Sequence, residues 1–141
     1  MEKRRTQALL EYLETSQNVE QVLEAKEADF VAEPLPDALI SLLEKKKLTR
    51  AEAIRNSFLN NIYGHQIFQG VRTPSRDKLL ALGFGMKLEF DEMDNLLKTQ
   101  GYARLYARNE RDAIIIYGFL HHIGIMDVNT MLYEKELDTL G

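Results

Sequence analysis

Apolar residues recur along most of the chain at the three- and four-residue spacing of a helix face. Leu9, Leu10 and Leu13 form a first stripe. Val19, Val22 and Leu23 form a second, behind a turn at Thr15-Ser16-Gln17 where Ser16 is suited to cap a helix. The segment EPLPD holds two of the three prolines and marks a boundary near residue 35. Pro36-Asp37 is good chemistry for entering a helix, and Leu39, Ile40, Leu42 and Leu43 give the stripe behind it, ending in EKKK. Thr49 with Glu52 three residues on reads as a capping box before RAEAIRNS. A further helix runs from about Asn61 to Gln69 and stops at Gly70. Thr73-Pro74-Ser75 starts another, lined by Leu79, Leu80, Leu82, Phe84 and Met86, and Met93, Leu96 and Leu97 line one that ends at Gly101.

The run DAIIIYGFL is ambiguous, since three consecutive isoleucines also suit a buried strand. A helix is favoured: Asn109 can cap it with Asp112 at the third position, and the apolar character persists for about three turns, to Ile123. An apolar run on all sides predicts a central, fully buried helix. Val128, Met131 and Leu132 then mark a last helix. No internal repeat and no low-complexity tract stand out. The expected fold class is all-α, with about eight short helices and no convincing strand.

At 141 residues, 45% apolar and 28% charged, the chain has the ordinary composition of one domain, with at most a short extension. With 0 cysteines there is no disulfide framework, thiolate metal site or cysteine nucleophile, a usage that fits a reducing cytosol. MEKRRTQALLEYLE mixes charges with its leucines, so no signal-peptide core is expected. No apolar stretch approaches the roughly 20 residues of a membrane helix. A cytoplasmic protein without membrane contact is the expectation. The net charge of -4 is uneven: residues 1–43 sum to -5, 44–78 to +5 and 79–141 to -4. A basic middle third in an acidic chain suggests a polyanion-facing surface, or alternatively a solvated helix face.

Within that basic segment the residues resemble a known family. The stretch LTRAEAIRNSFLNNIYGHQIFQGVRTPSRDKLLALGFGMKLEFDEM resembles the helix-turn-helix domain of the lambda-repressor/Cro-like (XRE) regulators. The likeness is carried by Leu48-Thr49, by Gly70, Arg72 and Pro74-Ser75 in a G-x-R-x-P frame, and by the leucine helix that follows. It covers about residues 36–97. It implies a five-helix DNA-binding domain over 35–101, an N-terminal helical extension over 1–34, and a C-terminal helical section over 102–141 for packing, dimerisation or signal input.

The resemblance implies base-reading positions at Asn61, Ile62 and Gln66 and a phosphate contact from Arg50, at the start of the second helix. It implies another phosphate contact from Arg72, with Arg76 assisting. The side chains agree with that reading: Asn60, Asn61, His65 and Gln66 cluster at the helix start, and Asn and Gln can each bond adenine through two contacts. Backbone amides at the Thr49-capped terminus can add a phosphate contact. Several residues have alternatives: Asn60 as a helix cap, Ile62 as part of a protein interface, Gln66 and Gln69 as solvated side chains, Arg72 as paired on the surface, and Arg76 as the partner of nearby carboxylates. The chain departs from the family's pattern at Ile54 and Phe58, where members often have alanine and glycine, at Gly64, where they have a branched apolar residue, and at Lys87, often glycine. Ile54 and Gly64 fall on positions that face each other, so the two exchanges together can conserve core volume.

No catalytic site is expected. His121 and His122 are adjacent, not spaced to grip one metal, GFGMKL lacks the third glycine of a dinucleotide fingerprint, and no carboxylate pair stands out as acid and base. No cofactor is implied. The leading expectation is a regulator that binds double-stranded DNA at a palindromic operator as a homodimer, with the C-terminal helices as the place for a protein partner. The alternatives are a protein-interaction module on the same scaffold, using Ile62 and Tyr63, or an antitoxin.

Overall fold

The computed structural model describes residues 33–141, so the expectations placed on Leu9 to Leu23 lie outside the described residues. The chain divides between Glu33 and Pro34 into two units, the second running to Gly141. Among the described residues the secondary structure is seven helices and no strand: α1 Leu35–Lys46, α2 Arg50–Ser57, α3 Asn61–Gln69, α4 Arg76–Gly85, α5 Phe90–Thr99, α6 Glu110–Leu120 and α7 Ile125–Glu134. None is long and apolar enough to cross a membrane.

Local chemistry sets most of the helix starts. Pro36 occupies the first turn of α1, where its missing N–H costs nothing. At α2 the Thr49 hydroxyl accepts from the Glu52 N–H at 3.1 Å, and the Glu52 carboxylate accepts from the Thr49 N–H at 3.2 Å. The hydroxyl of Ser75 starts α4, and the side-chain carbonyl of Asn109 starts α6, accepting from the Asp112 N–H at 2.9 Å. The isoleucine run is thus a capped helix.

One apolar core joins all seven helices, from Leu39 and Leu43 through Ile54, Ile67, Phe68, Leu80 and Leu97 to Ile115, Phe119, Val128 and Leu132. It continues across residues 101–102, where a section boundary is expected from the sequence. The Phe84 and Phe119 rings stack across it with centroids 3.9 Å apart, and residues 34–141 form one compact unit.

The structure also corrects the expectation of no internal repeat. Shifted by 35 positions, Arg76-Asp77 falls on Arg111-Asp112, Gly83-Phe84 on Gly118-Phe119, Leu88 on Ile123 and Leu97 on Leu132. The backbone repeats as well. Lys87 and His122 both close their helices with a left-handed residue (φ 57° and 55°), and Leu88 and Ile123 donate back to Gly83 and Gly118 at 3.1 and 2.9 Å. The two hairpins, α4–α5 and α6–α7, exchange charges in a crossed pattern. Arg76 of the first forks onto Asp112 of the second at 2.9 and 3.1 Å, and Arg111 of the second forks onto Asp77 of the first at 2.9 and 3.0 Å. Bidentate guanidinium–carboxylate pairs fix orientation as well as distance, so they lock the hairpins in one register.

The repeat explains why α6 is not buried on every side, as its composition predicts. Helix α4 is covered on a second face by α2: a Cβ on Gly85 would run into the Ala53 carbonyl and the Ser57 side chain. Its equivalent on α6 is Leu120, and Leu120 is 58% exposed, with Tyr117 47% exposed on the preceding turn. Among the described residues nothing covers α6 as α2 covers α4.

Candidate nucleic-acid interface

Helices α2 and α3 are joined by Phe58, Leu59 and Asn60 and pack through an unusual pair. A Cβ on Gly64 would lie 2.6 Å from the Ile54 Cγ2, so the isoleucine fills the space that a glycine leaves. The complementary exchange expected at these two positions is therefore realised in the packing. It keeps the helices close at the cost of about 1 kcal/mol of helix propensity at Gly64. Below the pair, the Ser57 hydroxyl donates to the Ile54 carbonyl at 2.6 Å and accepts from the Leu59 N–H at 3.3 Å, which shapes the turn.

With Gly64, Ile67 and Phe68 turned into the core, α3 presents the opposite face outward. Asn61 and Gln69 are exposed, Ile62 is 69% exposed, and His65 and Gln66 are half-buried. This face carries amides, one imidazole and one isoleucine, and no carboxylate. Asn60 caps the helix through its carbonyl, accepting from the Tyr63 N–H at 3.1 Å, which leaves its amide nitrogen as the group able to donate outward. Arg72, beyond the left-handed Gly70, lies against the same face, its Nε 3.4 Å from the Gln66 side-chain carbonyl. Arg50 lies over the outer part of the core, its guanidinium 5.2 Å from the Phe68 ring centroid. Thr49 is exposed at the α2 terminus.

Of the named residues, Thr49, Arg50, Asn60, Asn61, Ile62, His65, Gln66 and Arg72 thus belong to the α2–α3 unit and the chain just after it. Arg76 does not belong with them. Its guanidinium is spent on Asp112 and on the carbonyls of Ala103 and Arg104, at 2.9 and 3.1 Å, so the carboxylate alternative holds and the phosphate role gives way. The basic middle third shrinks in the same way. The ammonium groups of Lys45 and Lys46 close on Glu92 at 2.7 and 2.6 Å. Burial pushes the Glu92 carboxyl up, but these ammonium groups and the Glu89 N–H outweigh it and hold the carboxyl at about 2. Its charge therefore persists at neutral pH. Lys47, Arg50, Arg55, Arg72 and Lys78 remain without a carboxylate partner among the described residues. Gln69, seven residues beyond Ile62 and within about 20° of it around the helix, extends the outward face. Set against protein-family models, curated proteins and solved structures, the chain has no match.

Proposed function

We propose that the protein is a sequence-specific DNA-binding transcriptional regulator of the lambda-repressor/Cro-like helix-turn-helix type, with α3 as its recognition helix. The observation that carries this reading is the outward face of α3: hydrogen-bonding side chains at Asn61, His65 and Gln66, no carboxylate, and the cations Arg50 and Arg72 on either side. Amides of this kind read base edges in the major groove, and the guanidinium groups hold the backbone phosphates. Ile62 suits the methyl group of a thymine. The capping box uses the N–H groups of Thr49 and Glu52, and the terminal N–H groups of Arg50 and Ala51 between them are the ones suited to meet a phosphate.

Neutralised phosphates release counterions, so salt tests the reading directly. With about two phosphate contacts, from Arg50 and Arg72, the slope of log affinity against log salt should be about -1.8. Binding to duplex DNA should weaken roughly 12-fold between about 50 and 200 mM salt. Titration against the DNA upstream of its own gene, followed by anisotropy, measures this. A flat profile, or no binding to any duplex at low salt, overturns the DNA reading and hands Ile62 and Tyr63 to a protein partner.

A palindromic operator requires two copies, with recognition helices about 34 Å apart. The exposed face of α6 is suited to the dimer contact. Ala113, Ile116, Tyr117 and Leu120 form its stripe, and Glu110 and His121, eleven residues apart, sit at its two ends within about 20° of each other around the helix. Antiparallel pairing about a two-fold axis sets each Glu110 against the other copy's His121. Sedimentation should find a mass near twice 16.3 kDa, and Leu120→Glu should return it to 16.3 kDa with the helical signal of the folded chain retained at 25 °C. A native chain that sediments as a monomer at about 100 µM excludes this face as the dimer contact.

A further inference from the structure

A cleft of about 830 Å³ opens between the C-terminal end of α2, the α4–α5 turn and the α6–α7 turn. The stacked rings of Phe84 and Phe119 lie in its lining with Leu88 and Ile125, all at most 7% exposed. Gly118 also lines the cleft, and its lack of a side chain lets Val128 and Phe84 pack closely, since a Cβ there would lie 2.6 and 3.1 Å from them. The volume lies in the range of small-molecule sites.

The rim of this cleft is built from residues in a conformation that favours glycine. Five non-glycine residues among the described ones have a left-handed φ, and three of them, Phe58, Lys87 and His122, line the cleft, with φ of 59°, 57° and 55°. Each follows the end of a helix, where a left-handed residue is common and glycine is the usual choice, so a side chain there carries a strain that glycine would avoid. Phe58 is 67% exposed, so core packing does not account for it. Lys87 and His122 are equivalent positions of the two hairpins, so the repeat brings one basic side chain from each to the same opening. Arg55 adds a third. The carboxylate in the lining is that of Glu89, 3.8 Å from the His122 Nε2.

We propose that the cleft is a ligand site for a small amphipathic anion: an apolar acyl or aryl body set against Phe58, Phe84 and Phe119, with one carboxylate held by Lys87 and Arg55. Phe58 caps α2 and leads into α3, so an occupant bears on the turn that orients the outward face of α3. As an effector site the cleft rests on the DNA-binding reading. As a ligand site it does not.

Calorimetry on the full chain without DNA tests it, using octanoate and 1-naphthoate, each beside its neutral primary alcohol. At least one acid should bind, more tightly than its alcohol, and the better of the two distinguishes an acyl from an aryl body. Lys87→Gly removes the strain and the charge together. The variant should therefore melt at a higher temperature and yet bind the acid about tenfold more weakly, the loss of one charge-assisted contact, with the alcohols unchanged. A merely structural Lys87 would move stability and leave binding alone. Phe58→Gly, which also relieves strain, should weaken acid and alcohol alike. Absence of binding by all four probes at millimolar concentration, alcohols that bind as tightly as acids, or an unchanged acid affinity in Lys87→Gly each overturns the proposal. Because no DNA is present, these outcomes are independent of the salt titration.

Discussion

Ile115→Asp should unfold the whole of residues 34–141 and not only the C-terminal helices. Ile115 is 0% exposed in the α6 face that packs on the core, and the core is one cluster running from Leu39 to Leu140. An aspartate there is a buried charge with no partner, and a cost of several kcal/mol is a large part of the roughly 5–15 kcal/mol that holds a domain folded. Destabilising α6 also undoes the crossed pairs, leaving Arg76 without Asp112 and Asp77 without Arg111, so the damage reaches α4 and through it α2. Far-UV circular dichroism should show the helical signal lost at 25 °C, and duplex binding should vanish with it. A melt unchanged from the native chain would make α6 peripheral. A variant that keeps a folded α1–α5 and binds DNA would restore the boundary at residues 101–102 that the sequence suggests.

That boundary illustrates what the sequence shows and what it hides. Helix starts are legible because their chemistry is local: Thr49 with Glu52, Ser75 and Asn109 each act within three residues. The Ile54–Gly64 exchange is legible because two departures from one pattern compensate each other across a known contact. The repeat is hidden because its two copies agree in apolar class more than in identity. Ala81 stands opposite Ile116 and Gly85 opposite Leu120, and those differences arise where α2 covers one hairpin and leaves the other bare. Charge counting fails for a related reason. A sum of +5 over residues 44–78 does not reveal that Lys45, Lys46 and Arg76 answer carboxylates from α5 and α6, Asp112 lying 36 positions beyond Arg76. The candidate interface survives that correction because its cations Arg50 and Arg72 lie against α3 itself. The cleft at Phe58 and Lys87 left a trace in the sequence: both stand where the resembled family often has glycine. The trace acquires meaning only when the backbone puts both, with His122, around one opening.

Gln66→Ala and Arg72→Ala should separate base reading from backbone holding. A good bidentate contact discriminates against the wrong base by about 1–3 kcal/mol, so Gln66→Ala should lower the ratio of cognate to scrambled affinity by roughly 5- to 150-fold. Arg72→Ala should weaken both duplexes alike and reduce the salt slope by about one unit. The two side chains touch, and the contact sets how their effects combine. The Arg72 Nε to Gln66 Oε1 distance of 3.4 Å is at the long end for a hydrogen bond and is exposed, so its coupling should fall at the low end of the range for neighbouring residues, about 0.5 kcal/mol. The double variant should then lose close to the sum of the single losses. A large coupling would mean that Arg72 positions the Gln66 amide, and that specificity belongs to the pair. Competition anisotropy at one fixed salt concentration, with both duplexes and all four proteins, gives every term. If Gln66→Ala leaves the ratio intact, α3 does not dock by the face that Asn61, Ile62 and Gln66 share. The close Ile54–Gly64 packing, which sets the angle between α2 and α3, would then be the feature that turned it away.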